Sequence, residues 1–259
     1  MSKVIAVFGA GTGLGASVAR RFGREGFRVA LVARRKDRLD ALAAQLGGEG
    51  IEAAAFPADL SDPAGVPALV GAIRERFGRI DVVEYAPIGG DVSFTPASRL
   101  DAATLEKFSR LLLLTPVEVA RAVLPEMTER GDGAYLMTTG YTAAQPVPHL
   151  SGPGPVMSAA RNWLYSLNGE LADSGVYVGT LTVAALILNS ETAEAAAAGA
   201  DAAVPDTFGT EFPVVHPDEL AEHYWDMYTK RDRVEQAHPV ELTPQAGAPA
   251  WSPQGGIGA

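Results

Sequence analysis

Val4-Ile5-Ala6-Val7-Phe8-Gly9-Ala10-Gly11-Thr12-Gly13-Leu14-Gly15 decides the fold. Its first five residues form an unbroken apolar run, which predicts a strand buried on both faces, as in parallel sheets. Glycine then fills alternate positions from Gly9 to Gly15, and residues 16–24 have helical composition up to Gly26. A strand-to-helix turn that cradles a pyrophosphate must bend sharply, admit the ligand to the backbone, and seat the helix close on the strand. Each demand favours residues without a Cβ. The helix N-terminus adds free N–H groups and the positive end of the helix dipole. The stretch therefore predicts a dinucleotide site built on Gly9, Gly11, Thr12, Gly13, Leu14 and Gly15.

Working outward, further strands are predicted over 27–33, 52–56, 80–85, 134–139 and 176–184. Helices are predicted over 36–46, 67–77, 102–127 with a kink at Pro116, 156–174, 190–203 and 217–231. Short apolar strands alternating with helices imply βαβ units with right-handed crossovers. The fold class is α/β, a Rossmann-type doubly wound parallel sheet with helices on both faces. One domain is expected over 1–238. Residues 239–259 form a Pro/Gly-containing tail, expected to be irregular or laid across a neighbouring subunit.

Composition narrows the function. The net charge is −10, and an acidic surface repels phosphate backbones and anionic lipid, so neither nucleic acid nor membrane is an expected partner. No cysteine is present, which removes disulfides, thiolate nucleophiles and cysteine-ligated metals. His149, His216, His223 and His238 are scattered, so no metal is expected. No apolar run reaches the ~18 residues of a membrane helix. The first apolar run is too short for a signal peptide, and a cytoplasmic location is expected.

Gly9, Gly13 and Gly15 fit G-x-x-x-G-x-G rather than G-x-G-x-x-G, because Leu14 takes the last glycine position. With Asp59-Leu60, Gly78-Arg79-Ile80-Asp81 and Leu124-Pro125-Glu126-Met127, this resembles the short-chain dehydrogenase/reductase superfamily from residue 3 to about 235. The resemblance implies an oxidoreductase using a nicotinamide cofactor, with Asp59 and Leu60 near the adenine and Ala86 and Pro87 after the fourth strand. NAD enzymes of this type place a carboxylate at the end of the second strand, on the ribose 2′-hydroxyl. Here Arg34 and Arg35 stand there, and guanidiniums form bidentate bonds to phosphate. The expected cofactor is NADP(H). Thr12, where many NADP-preferring relatives carry Lys or Arg, adds no charge.

The family's catalytic Asn, Ser, Tyr and Lys are missing. Aligned on the family pattern, they fall on Leu112, Gly140, Pro153 and Met157, and no lysine lies between residues 108 and 229. The Asn-Asn-Ala-Gly after the fourth strand has become Tyr85-Ala86-Pro87-Ile88. A proton relay is worth ~10²–10⁴ in rate, so ordinary ketone reduction should be very weak. Three readings stay open. One is an atypical oxidoreductase with a relocated donor, for which Tyr141 and His149 are catalytic candidates, with Glu84 and Tyr85 also near the crevice. The others are a non-redox enzyme and a nucleotide-binding sensor or partner subunit without turnover. Gly140, Leu112, Met157 and Pro153 suggest an apolar crevice for a hydrophobic small molecule. Residues 190–203 lie where relatives carry a substrate lid. Leu111–Leu114 must present leucines all round a helix, which points to a homodimer or homotetramer. Tyr224, Trp225 and Tyr228 are read as core or interface.

Overall fold

The structure is a computed structural model that describes residues 2–88, 94–197 and 213–239. The chain runs β1 (Val4–Phe8), α1 (Leu14–Arg24), β2 (Arg28–Ala33), α2 (Lys36–Gly48), β3 (Ala53–Pro57), α3 (Val66–Phe77) and β4 (Val82–Tyr85). Then come α4 (Ala102–Ser109), α5 (Thr115–Arg130), β5 (Gly133–Gly140), α6 (Pro153–Glu170) and β6 (Val176–Val183). Last are β7 (Leu186–Ile187), α7 (Glu191–Ala197), β8 (Val214–Val215), α8 (Pro217–Lys230) and β9 (Glu235–His238). Seven strands pair in parallel in the order β3-β2-β1-β4-β5-β6-β9, while β7 and β8 pair separately. The order reverses between β1 and β4, where ligands of doubly wound sheets bind. Among the described residues no helix is long and apolar enough to cross a membrane.

Alternation along the strands builds two apolar layers. Ile5, Val7, Val29, Leu31 and Val82 face one side and pack against Leu14, Val18 and Phe22 of α1 and Leu220 and Tyr224 of α8. Val4, Ala6, Phe8, Val83 and Tyr85 face the other, against Val70 and Ile73 of α3 and Val119 and Val123 of α5. Each such fully buried aliphatic contributes ~1.5–3 kcal/mol. Phe22, Phe27, Trp225 and Tyr228 form an aromatic cluster between α1 and α8, which accounts for the aromatic group on the last helix as core.

Several boundaries differ from the sequence reading. Helix α1 starts at Leu14, two residues early, with Gly13 at its N-cap and Gly15 in its first turn. Helix α6 starts at Pro153, where a fixed φ suits the first helical position. The expected helix over 102–127 is broken: Arg110–Leu114 is a π-helical turn between α4 and α5. The irregularity thus precedes Pro116, which sits in the first turn of α5. The small β7–β8 sheet and the edge strand β9 were not predicted. Residues 198–203 of the expected lid helix and residues 240–259 of the expected tail lie outside the described residues.

Glu84 and Tyr85 are corrected. Neither lines a crevice: both are fully buried. Tyr85 lies on the α3–α5 face, and its hydroxyl donates to the Leu111 carbonyl at 2.5 Å, tying β4 to the π turn. Glu84 interrupts the opposite apolar face, its register neighbours being Val7 and Leu136. Among the described residues neither of its oxygens has a hydrogen-bond partner, and burial pushes its pKa up to about 8. A carboxyl whose folded pKa is raised binds its proton more tightly in the folded state. Stability is therefore lost as pH rises from the unfolded pKa near 4.5 to about 8, by an amount on the order of a few kcal/mol. Glu84→Leu should raise the melting temperature, with a larger gain at pH 8 than at pH 5. An equal gain at both pH values in thermal denaturation would contradict a buried, proton-holding Glu84.

Candidate functional site

The glycine turn follows from backbone crowding. Gly9 has φ +101°, and a Cβ there would lie 2.7 Å from the Pro87 nitrogen and 2.8 Å from its Cα. A Cβ on Gly15 would lie 2.7 Å from the Gly9 carbonyl oxygen and 2.8 Å from Ala10 Cα. These two glycines let the turn fold on itself and press β1 against the chain leaving β4. At Gly11 the nearest such neighbour is 3.8 Å away, so that glycine leaves room beside the backbone. Gly13 caps α1 with no side-chain hydrogen bond, and the first turn of α1 holds no acidic residue. The positive end of the helix dipole therefore meets no carboxylate of its own first turn, which suits an anion.

A cleft of about 880 Å³ opens above this turn. All twelve residues expected at a cofactor line it: Gly9, Gly11, Thr12, Gly13, Leu14 and Gly15 of the turn, Arg34 and Arg35 after β2, Asp59 and Leu60 after β3, and Ala86 and Pro87 after β4. Asp59 accepts hydrogen bonds from the Ser61 hydroxyl at 2.7 Å and the Ser61 amide at 2.9 Å. These bonds, with a smaller contribution from Arg34, hold its pKa below the ordinary carboxylate range. Arg38, one helical turn past Arg34, joins the cationic wall.

The segment from β7 to α7 closes over the turn. Thr12 Oγ1 donates to the Asn189 carbonyl at 2.7 Å, and a Cβ on Gly13 would stand 3.2 Å from Ser190 Cα and Cβ. Glu191 Oε1 accepts from Arg38 Nη1 at 2.9 Å and pairs with Arg35. A carboxylate of the chain thus pairs with Arg35, one of the two arginines expected at a phosphate, and with Arg38 beside it. Nothing local in the sequence signals this pairing, which spans about 150 residues.

At the far end the cleft is lined by Phe108, Leu111, Gly140, Met157, Leu186 and Ile187. Met157 Sδ accepts the Gly140 N–H at 3.2 Å. Leu112 and Met157 pack with Phe108, Ala143 and Val156 in one apolar cluster. Of the four positions aligned on the family's catalytic residues, Gly140 and Met157 reach the cleft. Leu112 and Pro153 are buried and do not line it. Lys107 and Thr138 add polar groups to the same wall; Thr138 Oγ1 shares a hydrogen bond with the Tyr224 hydroxyl at 2.5 Å.

Tyr141 and His149, the catalytic candidates, do not line this cleft. Tyr141 donates to Gln145 Oε1 at 2.6 Å and lines a neighbouring cavity with Arg161, Tyr165 and Glu235. His149 is exposed, with φ +69°. Neither lines the cleft, because the short 3₁₀ turn after β5 carries the chain away from it.

Fold, turn and cleft together describe a nucleotide-binding member of a dehydrogenase class. Residues 3–198 match the family described as short chain dehydrogenase, and the chain belongs to that family. A fatty acyl-CoA reductase of Mycobacterium tuberculosis is 37% identical over 181 residues, covering 69% of this chain. The match spans 61% of that relative's length. A short-chain dehydrogenase from Sphingobium yanoikuyae, solved in complex with NADPH, superposes with a TM-score of 0.76 at 29% identity, covering 93% of this chain and 89% of that one. An alcohol dehydrogenase from the archaeon Thermococcus sibiricus, complexed with 5-hydroxy-NADP, gives 0.74 at 27% identity, covering 92% and 96%.

Gly9→Ala should lower stability by about 2 kcal/mol or more, since a positive φ alone costs an L-residue ~1–2 kcal/mol and the Pro87 backbone cannot move aside. Urea denaturation measures this. A loss no larger than that of Gly47→Ala, at a glycine whose Cβ would meet nothing within 4 Å, would refute the packing argument.

Proposed function

We propose that this chain binds NADP(H) and acts as an atypical oxidoreductase on a hydrophobic small molecule. The observation that carries the reading is one continuous cleft that joins the glycine turn, the Arg34-Arg35-Arg38 wall and an apolar end. The residues fit the cofactor. The N-terminus of α1 suits the pyrophosphate, and the arginines suit a 2′-phosphate by bidentate, charge-assisted bonds. The NADPH and 5-hydroxy-NADP bound in the two solved relatives support the same choice. When bound, a nicotinamide supplies or accepts hydride. The chain's part is to hold it and to keep water from the reacting carbon with Phe108, Leu111, Met157 and Ile187. An acyl or other long aliphatic substrate suits this wall, in keeping with the name of the mycobacterial relative. With no acid at the family's positions, the reaction favoured is one whose oxygen needs little help from a protein proton donor.

A second reading has its own observation. The cluster of Phe108, Leu112, Val156 and Met157 packs in the region of the missing tetrad, which favours a nucleotide-binding protein without turnover. Substrate conversion without nicotinamide oxidation would instead favour a non-redox enzyme.

Calorimetric titration with NADPH, NADP⁺, NADH and NAD⁺ tests the cofactor. The phosphorylated pair should bind more tightly. Arg34→Ala and Arg35→Ala should each weaken that pair about 10-fold or more, the scale of a charge-assisted hydrogen bond, and leave NADH unchanged. Glu191→Gln should strengthen NADPH binding by removing the competing carboxylate. Failure of all four nucleotides to bind would overturn the reading. Loss of NADPH fluorescence with long-chain aldehydes or acyl thioesters separates the oxidoreductase from the silent binder.

A further inference from the structure

Away from the cleft, three side chains converge that lie far from any glycine motif. Glu219 and His223 are one turn apart on α8, so both project from the same face. His238 is the last residue of β9, whose pairing with β6 sets it opposite Val183. His223 Nε2 stands 3.2 Å from His238 Nδ1, and His238 Nδ1 stands 3.7 Å from Glu219 Oε1. The three ligand atoms all lie within 4.8 Å of one another.

We propose that Glu219, His223 and His238 form a binding site for a divalent transition metal, of which Zn²⁺ is the natural candidate, that fastens β9 to α8. The spacing is the main argument. In a tetrahedral zinc site with Zn–N bonds of ~2.0–2.1 Å, two ligand nitrogens lie about 3.3 Å apart. The two imidazole nitrogens already stand at that separation, and a small rotation of the exposed Glu219 side chain brings its oxygen to match. The donor chemistry agrees. Two imidazoles and one carboxylate suit Zn²⁺, Co²⁺ or Ni²⁺, whereas Mg²⁺ and Ca²⁺ want oxygen ligands throughout. Burial agrees too. His238 is held in place with 12% of its side chain exposed, while Glu219 is 58% exposed, which leaves an entry path and a fourth position for water. The neighbouring cation of Arg233 is met by Asp226 and Asp232, each at 2.7 Å, so it does not stand unopposed beside a metal.

The role is structural. None of the three residues lines the cofactor cleft. Among the described residues β9 is the edge of the sheet and pairs with β6 alone, so a metal bridging His238 to two residues of α8 would pin that edge. Binding to the folded state alone also raises its stability.

The test uses the untagged full chain, stripped with EDTA and dialysed. Titration with Zn²⁺ should show one saturable site per chain at micromolar concentrations or tighter, and a rise in melting temperature. Co²⁺ should give the intense visible absorption of a tetrahedral ion. His223→Gln and His238→Ala should each weaken Zn²⁺ binding by at least about 10-fold, the scale of losing even an outer-sphere partner, and Glu219→Gln should weaken it less. His223→Gln keeps the helix, so it serves if His238→Ala loosens β9; far-UV circular dichroism checks both. Absence of saturable Zn²⁺ binding, or binding that survives both histidine substitutions, overturns the proposal.

Discussion

Everything in the site hangs on one contact between backbones: Gly9 against Pro87 at the point where the strand order reverses. Because no Cβ stands between them, the ends of β1 and β4 approach closely, and α1 is aimed from there. Gly15 does the same inside the turn, against the Gly9 carbonyl. The cleft floor, the N-terminus of α1 and the position of Ala86 and Pro87 all inherit their geometry from this pair of missing side chains. Apolar layers on both faces of the sheet supply the free energy, but they do not choose where the sheet opens.

Electrostatics in the cleft run against the rest of the molecule. The chain carries a net charge of −10, yet Arg34, Arg35 and Arg38 crowd one wall. Gathering like charges is unfavourable unless an anion answers them, and Glu191 does so from α7. The segment from β7 to α7 and the cationic wall are therefore parts of one arrangement. The far end differs in kind. There Leu112 and Met157 pack with Phe108, Ala143 and Val156 in a small apolar cluster.

The sequence made the six strands β1 to β6 legible because each is a continuous or nearly continuous apolar run, the signature of burial on two faces. The turn was legible because glycine carries steric meaning at fixed offsets, and the twelve residues expected around a nucleotide all line one cleft. What stayed hidden has equally physical reasons. Strand β9 reads Glu-Gln-Ala-His, half-buried and polar, so no periodicity marks it. Strands β7 and β8 are two residues each. Tyr141 follows Gly140, the position aligned on the family's serine, but it sits in a 3₁₀ turn and lines another cavity. Glu84 looked like a crevice carboxylate, and only the register of β4 shows that it faces Val7 and Leu136 within the core. The meeting of His238 with Glu219 and His223 depends on an edge strand that the sequence did not announce.

The π turn at Arg110–Leu114 has a consequence for how this chain tolerates length changes. A π turn carries one residue more than the α-helical ladder needs, so it amounts to a stored insertion. Each helical residue advances the chain by ~100°. Deleting one leucine there would let α4 and α5 fuse into a single regular helix without rotating Val119, Val123 and Met127 out of the core. The same deletion a turn later, inside α5, would swing those residues toward solvent. The bulge is thus the place on this helix where a family could lose a residue and keep its fold, at the cost of the Tyr85 hydroxyl's hold on Leu111.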